Sequence, residues 1–528
     1  MKAIYIVLFN LIFLFSTALE AKLVQILHTN DIHSYFDHVE HDEDQGGYAR
    51  LKTMIEFYKA EALKKGIKTI VVDAGDFMEG NFFYMAKNGR RSFEMHNKIG
   101  YDISVIGNHD YLMGTDEMDS ILNDVNPKFK YLGANFHADS RYKGINKFVK
   151  PYHEMTIEGV KVAFLGLTTD EIVFRWRVYN GGIRKPLKDG VKFDKILKDR
   201  GNEVIIGLTH IGLEKDKLLA SKTKNLDLII GGHSHDFLYK PHYEKNKDKK
   251  RIPIVQAGAH AAVLGRMIID IEKSGFKGIK EYELIPIRGV QEDEEIADAV
   301  EVAREDLENQ YGHNHLYEEV GFSQLEAGDD AKIWNAYTTD AILESTGSDV
   351  SIHTTSMGGP YFPIGSVTRF DLYNSHPRWF DFNDDKGWFV YRATIRGYWI
   401  KWMFKAVMNL GIPLTFSGID FEWKKNIFGK FTVKNLRIKG KKIKSFKNYE
   451  LALPEGIVRG GFRISPLVGL LLKKAHRTPI TVVSAIEKKL QTGEPIDKYY
   501  LEEPKFEIFG RKKSSTKRER VFFPGVKR

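Results

Sequence analysis

The sequence predicts an α/β fold whose main sheet is mostly parallel. Five short apolar runs, LVQIL, TIVVDA, DISVI, VIIGL and DLII, lie between residues 23 and 230 and are separated by longer stretches with helical periodicity. Apolar strands that alternate with helices are typical of βαβ units, in which parallel strands lie side by side. Such sheets bind ligands outside the carboxyl ends of their strands.

A short polar signature follows each of these five runs. We therefore expect the side chains of all five signatures to converge on one rim of the fold. In chain order the signatures are Asp31-Ile32-His33, Gly75-Asp76, Gly107-Asn108-His109-Asp110, Thr209-His210 and Gly232-His233-Ser234-His235.

The residue types of the signatures favour divalent metal ions. Besides Asp110 they supply two carboxylates, several imidazoles and one amide, and the chain has no cysteine, which excludes a Cys-type zinc site. These donors suit a pair of Zn²⁺, Mn²⁺ or Fe²⁺ ions. Asp31 and His33 are two residues apart, so an extended backbone would place both on one face, and His233 and His235 repeat that spacing.

The motifs HTNDIH, GDFMEGN, NKIGYDISVIGNHD and GGHSH resemble those of the calcineurin-like metallophosphoesterases, and more narrowly of the 5'-nucleotidase/2',3'-cyclic phosphodiesterase family of the bacterial exported type. They lie in the family's order within residues 23–265. The resemblance implies a four-layer αββα fold, a β-sandwich flanked by helices. It also implies a second, smaller α+β domain of the 5'-nucleotidase C-terminal type.

The resemblance further implies that Asp76 bridges two divalent metal ions. The remaining ligands would be Asp31, His33 and His235 for one ion, and Asn108, His210 and His233 for the other.

His109 lies beside this ligand set, where an imidazolium could stabilise the transferring phosphoryl group or protonate the leaving oxygen. Asp110 is expected to orient the His109 ring. The expected function is hydrolysis of a 5'-nucleotide or related phosphate ester by metal-activated hydroxide. Two alternatives stay open: the same catalytic domain acting on a nucleotide-sugar, cyclic nucleotide or other phosphate or sulfur ester, and a binding protein that retains its metals.

The 528-residue chain is too long for one core, and we expect two domains and a leader. Residues 291–310 are acidic and free of glycine and proline, and Ile296, Ala299, Val300 and Ala303 recur at helical spacing. The expected organisation is a signal peptide (1–21), a metallophosphoesterase domain (22–290), a connecting helix (291–319), a substrate domain (320–510) and a basic tail (511–528).

The expected substrate domain resembles the family only in part. PIGSVTRFDLY and FSGIDFEW are similar to family segments, whereas SMGGPY at residues 356–361 lacks the amide and the guanidinium of the family's Asn-x-Gly-Gly-x-Arg pattern. Other residues could compensate by stacking a base or pairing with phosphate; the alternative is a packed tryptophan and surface arginines. The candidates are Trp379, Arg378, Arg396, Arg459, Arg463 and Phe462.

The amino terminus resembles a secretory leader. Lys2 precedes seventeen uncharged residues that end near the small residues Ser16 and Ala18. We expect a cleaved signal peptide and a periplasmic or secreted protein without a stable membrane span, with an uncleaved anchor as the alternative.

The net charge of +9 is concentrated at residues 245–251, 434–447 and 511–528, without a nucleic-acid-recognition motif. Solvated loops and a tail explain this charge, so no nucleic-acid partner is expected. The sequence leaves the oligomeric state open.

Overall fold

The computed structural model describes most of the chain beyond the first 21 residues. The described residues are 22–39, 42–354, 359, 361–379, 381–384, 386–410, 414–425, 430–464, 469–470, 472 and 474–500. The predicted signal peptide and basic tail lie outside this part, as do residues 356–358 and 360 of the SMGGPY segment. Within the described ranges, no helix combines the length and the apolar character that crossing a bilayer requires.

The amino-terminal half contains a seven-stranded sheet with a parallel centre. Its strands are β1 (Lys22–Thr29), β2 (Lys68–Asp73), β3 (Ile103–Val105), β4 (Lys130–Leu132), β6 (Val149–Lys150), β14 (Val263–Glu272) and β15 (Gly275–Pro286). The spatial order is β15-β14-β1-β2-β3-β4-β6. Strands β1 to β4 and β6 are parallel, whereas β14 and β15 add an antiparallel edge.

A six-stranded sheet packs against the first one. Its strands are β7 (Tyr152–Ile157), β8 (Val160–Thr168), β10 (Val204–His210), β11 (Leu228–Gly231), β12 (His242–Lys245) and β13 (Arg251–Val255). The order is β12-β13-β11-β10-β8-β7, with antiparallel pairing of the two edge strands. A separate two-stranded ribbon pairs β5 (Phe136–Ala138) with β9 (Gly181–Ile183).

The core between the sheets follows from the alternation of side chains along each strand. Ile26 of β1 and Ile206 of β10 lie in this shared core, whereas Leu27 and Ile205 face the opposite sides, where helices cover the sheets. These helices and the shorter ones near them are α1 (Tyr48–Lys64), α2 (Arg90–Ile99), α3 (Thr115–Val125), α4 (Lys143–Phe148), α5 (Ile172–Arg175), α6 (Pro186–Asp199) and α7 (Leu213–Lys222). The predicted four-layer αββα arrangement is confirmed.

Two helices, α8 (Glu294–Tyr311) and α9 (His313–Tyr317), follow the sandwich. The side chain of Asp293 accepts a hydrogen bond from the Ile296 amide and caps α8. Ile296, Val300 and Ala303 are buried, as expected from their helical spacing. The exact domain boundaries remain predictions.

The carboxyl-terminal part forms the predicted second, smaller α+β domain around its own core. Its main sheet has the order β20-β17-β24-β19-β25, with β17 (Val350–Thr354), β19 (Phe389–Arg396), β20 (Leu414–Ser417), β24 (Asn448–Pro454) and β25 (His476–Thr481). A three-stranded sheet contains β21 (Ile419–Lys425), β22 (Phe431–Ile438) and β23 (Lys441–Lys442), and β16 (Glu319–Ser323) pairs with β18 (Gly365–Thr368). The helices are α10 (Ala331–Thr346), α11 (Arg369–Ser375), α12 (Gly397–Leu410), α13 (Glu455–Ile464) and α14 (Val482–Leu490).

Candidate metal centre

The five polar signatures lie at the carboxyl ends of parallel strands, as predicted. Asp31 follows β1, Asp76 follows β2 and Asn108 follows β3 in the first sheet. His210 ends β10 and His233 follows β11 in the second sheet. The site therefore lies on the rim of the sandwich, where the two sheets each contribute residues.

The first group of donors consists of Asp31, His33 and His235, whose ligand atoms all lie within 4.8 Å of one another. The Nε2 atom of His235 is 3.2 Å from Asp31 Oδ1. The Nε2 atoms of His33 and His235 are 3.3 Å apart. Three donors this close could hold one metal ion.

The second group consists of Asp76, His210 and His233, whose ligand atoms also lie within 4.8 Å of one another. His210 Nε2 is 2.9 Å from Asp76 Oδ2 and 3.8 Å from Asp31 Oδ1, so the two groups are adjacent. Asn108 precedes His109, whose backbone amide donates to Asp76 Oδ1 at 2.7 Å. Among the described residues, the buried Oδ1 of Asn108 has no hydrogen-bond partner, which fits an oxygen that coordinates a metal.

Backbone carbonyls fix the tautomers of two of these histidines. The Nδ1 of His33 is 2.6 Å from the Glu79 carbonyl oxygen, and the Nδ1 of His210 is 2.7 Å from the Ala74 carbonyl oxygen. A carbonyl only accepts, so each Nδ1 carries a hydrogen and each ring turns its Nε2 to the centre, where the neutral form offers a lone pair to a metal. This outer contact is typical of metal-ligating histidines.

The electrostatics of the centre favour a cation. Burial alone would lower the pKa of His210, but the carboxylates of Asp76 and Asp31 raise that pKa to about 10. Burial alone would raise the pKa of Asp76, yet His210, His109 and His33 hold it well below its usual range. Two buried carboxylates thus attract positive charge to the position that the imidazole lone pairs face.

The backbone corrects one prediction about how these side chains converge. Asp31 and His33 are not extended but left-handed, with φ of 53° and 51°, and His233 and His235 have φ of 81° and 55°. Tight turns rather than strand alternation bring each pair together. Positive φ is uncommon for such residues and occurs where surrounding contacts hold it, as at functional sites.

Glycines permit the close approach of these turns. Gly75 has φ of 90°, and a Cβ on it would lie 2.9 Å from His210 Nδ1. A Cβ on Gly107 would lie only 2.0 Å from Asp76 Oδ1. Both positions therefore require glycine for packing around Asp76.

His109 lies beside the centre, but its predicted partner is wrong. Its Nδ1 hydrogen-bonds the Glu79 carboxylate, while its Nε2 is 4.0 Å from Asp76 Oδ2. The carboxylate of Asp110 instead accepts backbone hydrogen bonds, from the Gly107 amide at 2.7 Å among others. Burial and the neighbouring Asp76 raise the pKa of Asp110 to about 6.

Comparison with known proteins agrees with this geometry. A family model described as calcineurin-like phosphoesterase matches residues 24–237. Residues 24–237 therefore form a calcineurin-like phosphoesterase domain. The carboxylates and histidines described above all lie within the matched residues.

Several 5'-nucleotidases are similar to this phosphoesterase chain. It is 31% identical to the Bos taurus 5'-nucleotidase over 279 residues, 47% of each chain, and 28% identical to the Lutzomyia longipalpis "Protein 5NUC" over 399 residues, 67% of this chain and 69% of that one. The alignment thus spans about half the length of the bovine relative. The crystal structure of a 5'-nucleotidase precursor from Thermus thermophilus has a TM-score of 0.75 at 20% identity, covers 90% of this chain and 97% of its own, and shows the shared two-domain fold.

The structure also places the predicted substrate-binding residues of this phosphoesterase chain. Trp379 is 1% exposed and packs against Phe82 and Tyr84, which agrees with the alternative of a packed tryptophan rather than with base stacking. Arg378 forms an ion pair with Glu79, with Nη1 3.2 Å from Oε1. Its side chain therefore reaches the neighbourhood of the candidate centre.

The other arginines lie elsewhere or outside the described side chains. Arg396 is exposed at the end of β19, opposite Asn448 in the sheet. Arg459 pairs with Glu455 on α13, a helix that contacts α5 of the first domain. The side chains of Phe462 and Arg463 lie outside the described part.

Three residues around the centre, Glu79, His260 and Glu171, were not predicted from the sequence. Glu79 follows Asp76 within the GDFMEGN motif, so an acid near the predicted bridging residue was the available signal. His260 donates its backbone amide to the Asp31 carbonyl, and its ring lies 5.8 Å from that of His33. Glu171 Oε1 is 3.5 Å from His233 Nε2, and this contact helps lower the pKa of Glu171 to about 2. His260 and Glu171 lie outside the recognised motifs, so no sequence signal indicated them.

Proposed function

We propose that the chain hydrolyses phosphate monoesters at the candidate metal centre, with 5'-nucleotides as the leading substrate class. The observation that carries this proposal is the pairing of donor groups from two sheets around Asp31 and Asp76, with His109 beside them. The similarity to proteins named 5'-nucleotidase supports the substrate class.

The donor set fits two divalent ions of the Zn²⁺, Mn²⁺ or Fe²⁺ type. Such ions require oxygen and nitrogen donors beside carboxylates. Among the described residues, Asn108 offers an Oδ1 without a hydrogen-bond partner, and His33 and His210 turn their Nε2 atoms toward the carboxylates. When bound, two such ions polarise phosphoryl oxygens and lower the pKa of water. Asp76 would be shared, and the other ligands would be Asp31, His33 and His235 for one ion and Asn108, His210 and His233 for the other.

The chain's own residues would then position and move a proton. The Glu79 carboxylate holds the Nδ1 side of the His109 ring, which leaves Nε2 directed toward Asp76. From there Nε2 can donate a proton to the departing ester oxygen. The ring of Phe174 lies 5.7 Å from His109 and 6.2 Å from His233, so it stands beside both imidazoles.

The test is hydrolysis by protein reconstituted with each metal. We expect two ions per chain, turnover of AMP and of p-nitrophenyl phosphate, and a loss of about 100-fold or more in His109→Ala with AMP. His313→Ala is the matched control because His313 is exposed on α9 and pairs with Glu308. A fully loaded protein that hydrolyses no phosphate ester would reject the proposal and favour a metal-retaining binding protein.

The substrate panel also decides between nucleotides and the alternative esters. The burial of Trp379 removes one predicted contact with a nucleobase and motivates this comparison. The panel therefore includes a nucleotide-sugar diphosphate, a cyclic nucleotide and a sulfate ester beside AMP. Turnover of one of these with no turnover of AMP would replace the nucleotide part of the proposal.

Export is a further part of the proposal, and residues 1–21 carry it. We expect the mature chain to begin after Ala18 or Ala21, because small residues precede both positions. Amino-terminal sequencing of protein from the periplasm or medium is the measurement. A mature chain that retains Lys2 would contradict cleavage.

A further inference from the structure

Glu79 connects the candidate centre to the second domain through three contacts. Its carbonyl oxygen accepts from His33 Nδ1 at 2.6 Å. One carboxylate oxygen, Oε2, bonds His109 Nδ1, and the other, Oε1, lies 3.2 Å from Nη1 of Arg378. Arg378 is supplied by the loop after α11, which belongs to the second domain and lies far from Glu79 along the chain.

The Glu79 side chain is 1% exposed, and that of Arg378 is 12% exposed. A buried carboxylate needs a cation or several donors to remain charged. His109 provides one donor, and the guanidinium of Arg378 provides the positive charge. Without Arg378 the carboxylate would turn toward water, and its bond to His109 would weaken.

The segment that carries Arg378 is docked firmly on the segment that carries Glu79. The Phe82 amide donates to Asn374 Oδ1 at 2.9 Å. Trp379 packs its ring on Phe82, with centroids 5.5 Å apart. The Arg378 amide donates to the His376 carbonyl at 2.8 Å, which fixes the start of its side chain. The guanidinium thus reaches Glu79 from a fixed position.

We propose that Arg378 is a positioning residue that acts through Glu79 on His109, so that docking of the second domain orients the ring that protonates the leaving oxygen. This inference rests on the proposed function. It assigns Arg378 a role distinct from binding the substrate phosphate, because its guanidinium is already paired with Glu79.

The leaving group distinguishes the two roles. A proton donor matters most when the departing oxygen is strongly basic, as in AMP, and little for p-nitrophenolate. We expect Arg378→Gln to lower kcat with AMP by about tenfold or more and kcat with p-nitrophenyl phosphate by less than about threefold, with KM nearly unchanged. Arg378→Lys should recover part of the loss. Arg437→Gln, at an exposed position in β22, is the matched control and should behave as wild type.

A double-mutant cycle checks that Arg378 acts through Glu79. Once Glu79→Gln has removed the carboxylate, adding Arg378→Gln should cost less than about twofold more in kcat with AMP. An unchanged penalty in the Glu79→Gln background, or a rise in KM with both substrates, would overturn the proposal in favour of phosphate binding. Wild-type turnover of both esters tests the proposed function separately.

A crystal structure of Arg378→Gln gives a readout that needs no turnover. We expect the Glu79 carboxylate to rotate away from His109 Nδ1 while Asn374 still accepts from the Phe82 amide. A Glu79 side chain that keeps its bond to His109 in this variant would refute the inference. Thermal unfolding of each variant, compared with Arg437→Gln, shows whether any loss of activity reflects unfolding.

Discussion

Gly107→Ala should disable the centre although it replaces none of the proposed ligands. An added Cβ would lie 2.0 Å from Asp76 Oδ1 and 2.2 Å from the Asp76 amide nitrogen, whereas real Cβ atoms essentially never come within 3.0 Å of such atoms. Gly107 and Asp76 must therefore separate by about 1 Å. Metal sites tolerate shifts of about 0.2 Å in ligand distance, and a 1 Å misplacement costs about 100-fold in rate.

We expect kcat/KM of metal-loaded Gly107→Ala to fall by about 100-fold or more, equivalent to about 2.7 kcal/mol in the activation free energy. Bound metal should fall below two ions per chain. Gly207→Ala is the control, because its Cβ would make ordinary 3.5 Å contacts with Ile229 and Thr209. Metal analysis, steady-state hydrolysis of p-nitrophenyl phosphate and thermal unfolding are the assays. A folded Gly107→Ala protein with two ions and more than about a tenth of wild-type activity would refute the steric reasoning.

Three further outcomes are expected. Burial raises the pKa of Asp216 to about 7, so the unfolded chain loses this proton at a lower pH than the folded chain. The free energy of unfolding should therefore fall as pH rises from about 4 to 7, by at most about 4 kcal/mol. In urea unfolding, Asp216→Asn should become more stable relative to wild type between pH 5 and pH 8, and an unchanged difference between the two would contradict this. Wild type with metal at about 100 times its Kd should lose about 5 °C in Tm when a chelator removes the metal, as measured by calorimetry. The Tm of Asp76→Asn should change much less. Trp379→Ala should destabilise the fold by about 3–5 kcal/mol in denaturant unfolding, because Trp379 is buried. The ratio of the KM values for AMP and p-nitrophenyl phosphate should stay unchanged. A selective rise in the KM for AMP would instead indicate base stacking.

The strand ends and the donor types were predictable because both are local properties of the sequence. The apolar runs before Asp31 and His210 specify buried strands, and parallel strands must end on one rim. The direction in which a side chain leaves that rim depends on the backbone turn. Histidine is enriched at positive φ, but residue type alone does not specify the left-handed φ of His33. The convergence was therefore predicted correctly, but through the wrong backbone geometry.

The hydrogen-bond partner of the His109 ring could not be predicted from the sequence for a similar reason. Asp110 is adjacent to His109 in sequence, yet neighbouring residues in a tight turn point in different directions, and Asp110 faces backbone amides. Glu79 and Arg378 meet only after the two domains have packed. Contacts between segments that are distant in the chain depend on tertiary structure and cannot be predicted from a single sequence.

The backbone of the centre adds a physical constraint on how it is maintained. Asp31, His33, Asp76, His233 and His235 all have positive φ. At about 1 kcal/mol each, this strain amounts to about 5 kcal/mol, a large part of the stability of a typical domain. The hydrogen bonds that hold it join separate loops: the Asp31 amide donates to the Gly75 carbonyl at 2.8 Å, and the His33 amide donates to the Asp76 carbonyl at 2.9 Å. Each turn is thus held by its neighbour, so a change that displaces Asp76 releases the turn of His33 as well, and the two candidate metal positions should be lost together rather than one at a time.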